Sequence, residues 1–310
     1  MQLLCNSDQH NHTNSAVRSA AGFTEMALTK VLIVSLCVLY VAVKWTSPTF
    51  DPETLRGARV LVTGASTGIG EQMAYHYARF GAQIVITARR EKVLQQVVEE
   101  CLRLGAQKAV SIAADMSTDS DPDRVVDSAL ETLGGLDFLV LNHIGSIDLK
   151  MWDGDHKEVQ QLMKINFHSY VQMAGRALPF LEQTRGALVV VSSLCGRLST
   201  PYVAPYTSTK FALNGFFGSL HHELAMKKSN VSISICTLGL IDTASAMEKV
   251  REFSDMPAYP AADAALNIII TGATRQRELF YPWFTQLMAL TKDWSPSLSD
   301  YIIQKFYKTS

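Results

Sequence analysis

ARVLVTGASTGIG, residues 58–70, opens as an apolar, β-branched run and breaks into three glycines within seven residues. The run reads as a buried strand. The residues after Gly70 read as a helix from about Glu71 to Phe80. A glycine loop between strand and helix has a physical use. Glycines let the backbone turn tightly and come close to a pyrophosphate, and the helix N-terminus favours that negative charge. The spacing is Gly-x-x-x-Gly-x-Gly.

The same alternation continues outward. Ala82 to Thr87 is a second strand, Glu91 to Leu104 a helix, and Lys108 to Ala114 a third strand ending at Asp115. Asp123 to Leu133 is helical, and Leu136 to Leu141 is a fourth strand closed by Asn142-His-Ile-Gly145. One long helix covers roughly His156 to Leu181, and Ala187 to Val191 is a fifth strand. Strands alternating with helices of this length indicate an α/β chain: a single Rossmann-type, doubly wound parallel sheet with helices on both faces. Ligands of such sheets bind at the carboxyl ends of the strands. The glycine loop, Asp115, Asn142, Ser193 and the 237–243 stretch all fall there.

NAD-specific folds commonly end the second strand with an acidic residue on the ribose 2′-hydroxyl. Here the position reads Ala88-Arg89-Arg90. A guanidinium cannot accept a hydroxyl proton but can bind a 2′-phosphate, so the expected cofactor is NADP(H). The alternative is a pair of solvated residues at a helix start.

VVVSSLCGRLSTPYVAPYTSTK, residues 189–210, carries the candidate chemistry. Tyr206 and Lys210 share a helix face. A nearby ammonium favours the phenolate and would draw the tyrosine toward working pH as a general acid/base. Ser193, at the strand end, would hold the substrate oxygen. The spacing alone is weak evidence, since Tyr40/Lys44 and Tyr301/Lys305 match it. Its weight comes from the serine and the glycine loop.

Composition sets the limits. The 310 residues are 47% hydrophobic and 18% charged, which suits a filled core. A net charge of −1 gives no case for nucleic acid. Five scattered cysteines form no Cys-x-x-Cys pair, so neither a metal site nor a disulfide framework is expected. Residues 1–25 read as an unstructured tail, 26–44 as a hydrophobic signal or anchor, and 45–57 as a linker. Residues 58–282 form the catalytic domain and 283–310 a C-terminal helical extension. The 26–44 stretch is marginal for a membrane span, and a cleaved signal or a buried helix stays open. Met26 is a possible start. Asn230-Val-Ser and Asn11-His-Thr are glycosylation sequons that cannot both be luminal if the segment spans. The aromatic-rich C-terminal segment reads equally as a core or homodimer helix and as a membrane-facing lid.

TGASTGIG at 63–70, NHIG at 142–145, Asn166, Ser193 and Tyr206-x-x-x-Lys210 together resemble the short-chain dehydrogenase/reductase family. FDPETLRGARVLVTGAS, LVLNHIG, VVVSSLCGR, YTSTKFALNGFFGSL and LGLIDTASAM are similar to its 11β-hydroxysteroid dehydrogenase branch, over about Thr49 to Tyr281. The resemblance implies that Tyr206 exchanges a proton with the substrate oxygen while Lys210 binds the nicotinamide ribose and lowers the tyrosine pKa. Ser193 would hold the oxygen and Asn166 a relay water. Gly64, Ser66, Thr67, Gly68 and Ile69 would cradle phosphates, Arg89 and Arg90 select NADP, and Asp115 and Met116 border the adenine. Asn142, His143, Ile144, Ile241, Thr243 and Ser245 would complete the cofactor site. It also implies a steroid or similar small apolar substrate and a luminal position at the endoplasmic reticulum membrane, or secretion after signal cleavage. Two positions depart from the branch. Thr67 stands where type 1 members carry a lysine, and Thr200 where they carry a pocket tyrosine. Tyr202 is the expected substitute for that aromatic. A nucleotide-binding scaffold without catalysis is the alternative reading.

Overall fold

The computed structural model describes Lys30, Val31, Ile33 to Ser35 and residues 49–307. The tail and most of the 26–44 segment therefore lie outside the described residues. The five described residues before Thr49 are helical. Among the described residues, no helix is long and apolar enough to cross a membrane.

From Phe50 onward the chain is one compact unit. Its sheet is built from β1 (Arg59–Thr63), β2 (Gln83–Ala88), β3 (Lys108–Ala113), β4 (Phe138–Leu141), β5 (Ala187–Ser193), β6 (Ser232–Leu238) and β9 (Glu278–Tyr281). They run in the order β3-β2-β1-β4-β5-β6-β9, with every pairing parallel. Two two-residue strands, β7 (Ile241–Asp242) and β8 (Tyr259–Pro260), pair separately.

Alternation along each strand divides the core. Val60, Val62, Ile84, Ile86, Val140, Val189 and Val191 face one layer. Leu61, Val85, Leu139, Leu141, Leu188 and Val190 face the other. A strand buried on both faces must be apolar throughout, and β1 has Val60, Leu61 and Val62 at 0% exposure. The first layer is closed by α1 (Gly68–Arg79), α2 (Glu91–Arg103) and α8 (Ala261–Ala273), through Met73, Tyr77, Leu94, Val97, Ile268 and Ile269. The second is closed by α3 (Asp121–Leu133), α5 (Ser169–Thr184) and α6 (Ala204–Met226), through Val125, Val126, Met173, Leu213 and Phe217.

The long helix expected from His156 is not uniform. It is α4 (His156–Met163), one wide π turn (Lys164–His168), and then α5. The amide of Ser169 reaches back to the Lys164 carbonyl across that turn. Periodicity alone does not reveal one wide turn, because the apolar stripe resumes after it. After α7 (Ala244–Val250), the C-terminal segment forms α9 (Phe284–Trp294) and α10 (Pro296–Phe306). Both leave large apolar side chains outside, with Trp283 at 74% and Trp294 at 87% exposure.

Candidate active site

Order between β1 and β4, where neighbouring strands lead in opposite directions across the sheet, places the glycine loop beside the exit of β4. Gly64 and Gly68 adopt φ of +67° and +64°, which favour glycine. A Cβ on Gly70 would lie 2.3 Å from the Gly64 carbonyl oxygen, so the loop closes on itself only with glycine there. A Cβ on Gly64 would meet the His143 Cα at 2.7 Å.

The hydroxyl of Thr63 organises this junction. It accepts from the Asn142 amide at 2.8 Å and lies 2.9 Å from Nδ1 of His143. Nε2 of His143 sits 3.1 Å from the Ile165 carbonyl and 2.7 Å from the Ser169 hydroxyl. The carbonyl can only accept, so Nε2 carries the hydrogen, and the single Thr63 hydrogen is shared between Nδ1 and the Val140 carbonyl, 3.2 Å away. Burial holds the ring neutral and draws its pKa down to about 3. Tyr170 donates to the His143 carbonyl at 2.7 Å, and the Asn142 side chain donates to the carbonyls of Thr63 (3.1 Å) and Gly64 (3.3 Å). Asn142 and His143 thus brace the cradle with their side chains, while their amides are held by the Thr63 hydroxyl and the His143 carbonyl by Tyr170. Ile144 next to them is exposed.

Arg90, at the start of α2, donates to the hydroxyls of Ser66 (3.1 Å) and Thr67 (3.2 Å). Arg89 is exposed beside it. Thr67 is the N-cap of α1 and makes no side-chain capping bond. Asp115 is half-buried and accepts from the Ser117 amide at 2.9 Å, and Met116 is buried. Thr243 presses its methyl on the loop, 3.0 Å from where a Gly68 Cβ would stand, and its hydroxyl accepts from Ala246 at 3.3 Å. Ile241 is buried, whereas Ser245 is exposed on α7. A cradle closed to any side chain, backbone N–H groups at a helix start and a guanidinium above them fit a phosphorylated dinucleotide.

The second cluster joins the end of β5 to the first turns of α6. Ser193 accepts from the Cys195 amide at 3.1 Å, which turns its hydroxyl toward the cleft, and it is hydrogen-bonded to Tyr206. Lys210 is 2% exposed, donates to the Val191 carbonyl at 2.9 Å and lies over the rings of Tyr206 (5.6 Å) and Tyr170 (5.7 Å). Burial draws its ammonium down to about 7. The downward tuning expected for Tyr206 is not what governs it. Burial and the neighbouring Cys195 raise the phenol, and the Ser193 bond works against them. Desolvation of the phenolate is the largest of these influences.

Asn166, at 0% exposure, sits in the π turn. Its carbonyl oxygen accepts from the Gly145 amide at 2.7 Å, and its amide donates to Thr209 at 3.3 Å. Thr209 in turn donates to the Tyr206 carbonyl at 2.7 Å. Asn166 therefore fastens the exit of β4 to the helix that carries Tyr206. Thr200 is half-buried, with its hydroxyl 3.5 Å from Cys195 Sγ. Tyr202 is buried with φ +67° and packs against Phe253, ring centres 5.0 Å apart. A cavity of about 360 Å³ is lined by Leu240, Met247, Val250, Ser254 and Met256 among others. Neither Ser193 nor Tyr206 lines it.

Three residues that matter here escape the motif reading. Thr63 ends an apolar strand with a hydroxyl, and Thr209 lies inside the Tyr–Lys motif, so both left a faint signal. Tyr307, hydrogen-bonded to Thr200, left none, because the pair is distant in sequence.

Residues 58–254 match the short chain dehydrogenase family model. A hydroxysteroid 11-beta-dehydrogenase 1-like protein of Danio rerio is 62% identical over 278 residues, covering 90% of this chain and 97% of its own. The Homo sapiens protein of the same description is 50% identical over 230 residues, covering 74% and 73%. Among solved structures, a short chain dehydrogenase from Burkholderia cenocepacia in complex with NADP gives a TM-score of 0.64 at 26% identity, covering 73% of this chain and 97% of its own. A short chain dehydrogenase/reductase from Burkholderia phymatum in complex with NAD gives 0.71 at 19% identity, covering 79% and 96%, and shows the fold.

Proposed function

The chain belongs to the short-chain dehydrogenase family, and from that premise we propose an NADP(H)-dependent oxidoreductase that interconverts a hydroxyl and a ketone on a steroid or similar lipid. The carrying observation is the Ser193–Tyr206–Lys210 cluster at the carboxyl edge of the sheet, beside a glycine cradle. Bound NADP(H) would supply or accept hydride at the substrate carbon. Gly64, Ser66, Thr67, Gly68 and Ile69 would hold its phosphates, and Arg90 with Arg89 the 2′-phosphate.

In reduction, Ser193 and Tyr206 would hold the ketone oxygen and Tyr206 would give it a proton; in oxidation Tyr206 would take that proton back. Burial raises the phenol, so Tyr206 rests protonated at neutral pH. Lys210 would hold the nicotinamide ribose, and it lies over the ring of Tyr206. Asn166, through Thr209, holds the helix that presents the tyrosine. The names of the hydroxysteroid 11-beta-dehydrogenase 1-like relatives favour a steroid, and Thr200 leaves its identity open to assay. A homodimer, and a luminal site at the endoplasmic reticulum membrane, complete the reading. The hydrophobic 26–44 stretch and the exposed sequon residue Asn230 support the latter.

The test is NADPH oxidation and NADP⁺ reduction by the chain from Met26 onward against cortisone, cortisol, other ketosteroids and small lipid carbonyls. Tyr206→Phe should lose turnover by at least about a hundredfold and keep NADPH binding. Near-normal turnover in that variant sinks the mechanism. Tight NADPH binding without turnover on any substrate would instead support a scaffold.

A further inference from the structure

In the sheet β5 lies between β4 and β6, so Ser193 opens into a cleft flanked by the segments that follow β4 and β6. The flank after β4 is a fixed post. Its Gly145 amide is held by Asn166 at 2.7 Å, and its Lys150 amide donates to the Tyr202 carbonyl at 3.1 Å. The Lys150 ammonium is paired with Asp153 at 2.9 Å and with Glu158 of α4 at 3.5 Å. The opposite flank is α7, which buries none of its side chains. Met247 and Val250 line the cavity of about 360 Å³ beside it, so packing alone holds this helix weakly.

Lys249 of α7 joins the two flanks. Its ammonium donates to the Ile147 carbonyl at 2.7 Å and to the Ser146 hydroxyl at 3.2 Å, 102 and 103 residues away in sequence. The Asp148 carboxylate, 4.0 Å off and 78% exposed, adds little. The two short contacts are charge-assisted bonds, which are stronger than neutral ones. Both flanks leave the sheet at its carboxyl edge, and the end of β5 separates them. A link between them therefore passes over that end. The Lys249 clasp thus roofs the cleft that holds Ser193 and Tyr206.

We propose that Lys249 is a specificity-determining residue: its clasp sets how bulky a carbonyl compound can reach Ser193 and Tyr206. A slender, flexible ketone threads beneath the closed roof. A rigid polycyclic ketone must first open it, and the fraction of molecules already open then scales its apparent affinity. This rests on the oxidoreductase reading for the position of the reacting groups. Within that reading it shifts the preferred substrate from the polycyclic to the slender lipid carbonyls.

The test compares wild type with Lys249→Met, which keeps an unbranched stem and loses the donor, and with Lys249→Arg, which keeps a donor. NADPH-dependent kcat/KM is measured for cortisone and for 2-decanone, together with equilibrium binding of both to the NADP⁺-loaded protein. One hydrogen bond from a charged donor is worth about tenfold or more in an equilibrium. The methionine variant should therefore gain about tenfold for cortisone in binding and in kcat/KM, chiefly through KM, and leave 2-decanone nearly unchanged. The arginine variant should stay close to wild type. Equal changes for the two ketones, a loss or no change for cortisone, or an arginine variant that gains as much as methionine overturns the proposal. So does a protein that binds neither ketone in any of its forms. Selective tightening of cortisone without turnover of either ketone would keep the clasp and discard the oxidoreductase reading.

Discussion

Replacing Thr63 by valine preserves shape at a site of 0% exposure, and on apolar grounds alone it would be neutral or favourable. The hydroxyl decides otherwise. Without it, the Asn142 amide loses a 2.8 Å acceptor and the bare Nδ1 of His143 loses a 2.9 Å donor, both away from water. Each unsatisfied buried group costs about 1–3 kcal/mol, so the pair costs roughly 2–6 kcal/mol. Thr63→Ser keeps the hydroxyl and removes one methyl, for about 1 kcal/mol. Urea denaturation of wild type and both variants, monitored by tryptophan fluorescence, should rank valine well below serine. In thermal melts, each kcal/mol moves the midpoint by about 2–4 °C for a domain of this size. NADPH affinity should fall in the same order, because residues 142 and 143 back the glycine cradle. A valine variant as stable as wild type, or more stable than serine, would refute the reasoning.

Arg90→Ala should weaken NADPH about tenfold or more while NADH changes little, from the loss of a charge-assisted contact. Arg90 is the arginine bonded to the glycine loop, and Arg89→Ala beside it should lose NADPH affinity in the same selective way. Equal losses for the two cofactors would exclude the 2′-phosphate role. For His143, the folded pKa of about 3 lies below the unfolded 6.5, so the unfolded chain binds the extra proton between those values. Stability should fall as pH drops from 6.5 toward 3, by about 1.4 kcal/mol per pH unit at most from this residue. A urea midpoint series from pH 7 to 4 should therefore be flatter for His143→Asn than for wild type. Parallel slopes would remove His143 as the cause.

Sequence periodicity was sufficient for the strands from β1 to β5, since each is an apolar run short enough to be a buried strand and each is followed by a helix. It also located Gly64, Gly68 and Ser193, because each sits where a strand gives way to a turn, while the four-residue spacing placed Tyr206 and Lys210 on one helix face. Two things were illegible for the same reason. The upward shift of Tyr206 depends on how dry its surroundings are, and the Tyr307–Thr200 contact depends on where the last helix lands. Both are properties of packing between remote segments, which no local pattern carries. The π turn lies between these cases. Its residues were read as helical, and its buried Asn166 is held by Gly145 and Thr209, both remote from the turn in sequence.

That wide turn makes local winding subordinate to tertiary docking around the reactive tyrosine. An α-helix would be the cheaper state for residues 164–168 in isolation, since wide turns are rare outside a supporting context. Asn166 can satisfy both its partners only when the β4 exit loop and α6 are already in place. The acid/base residue and the turn that braces its helix are therefore completed by one event, so a chain with a finished sheet but an undocked α6 would possess the cofactor cradle and lack an aligned proton donor.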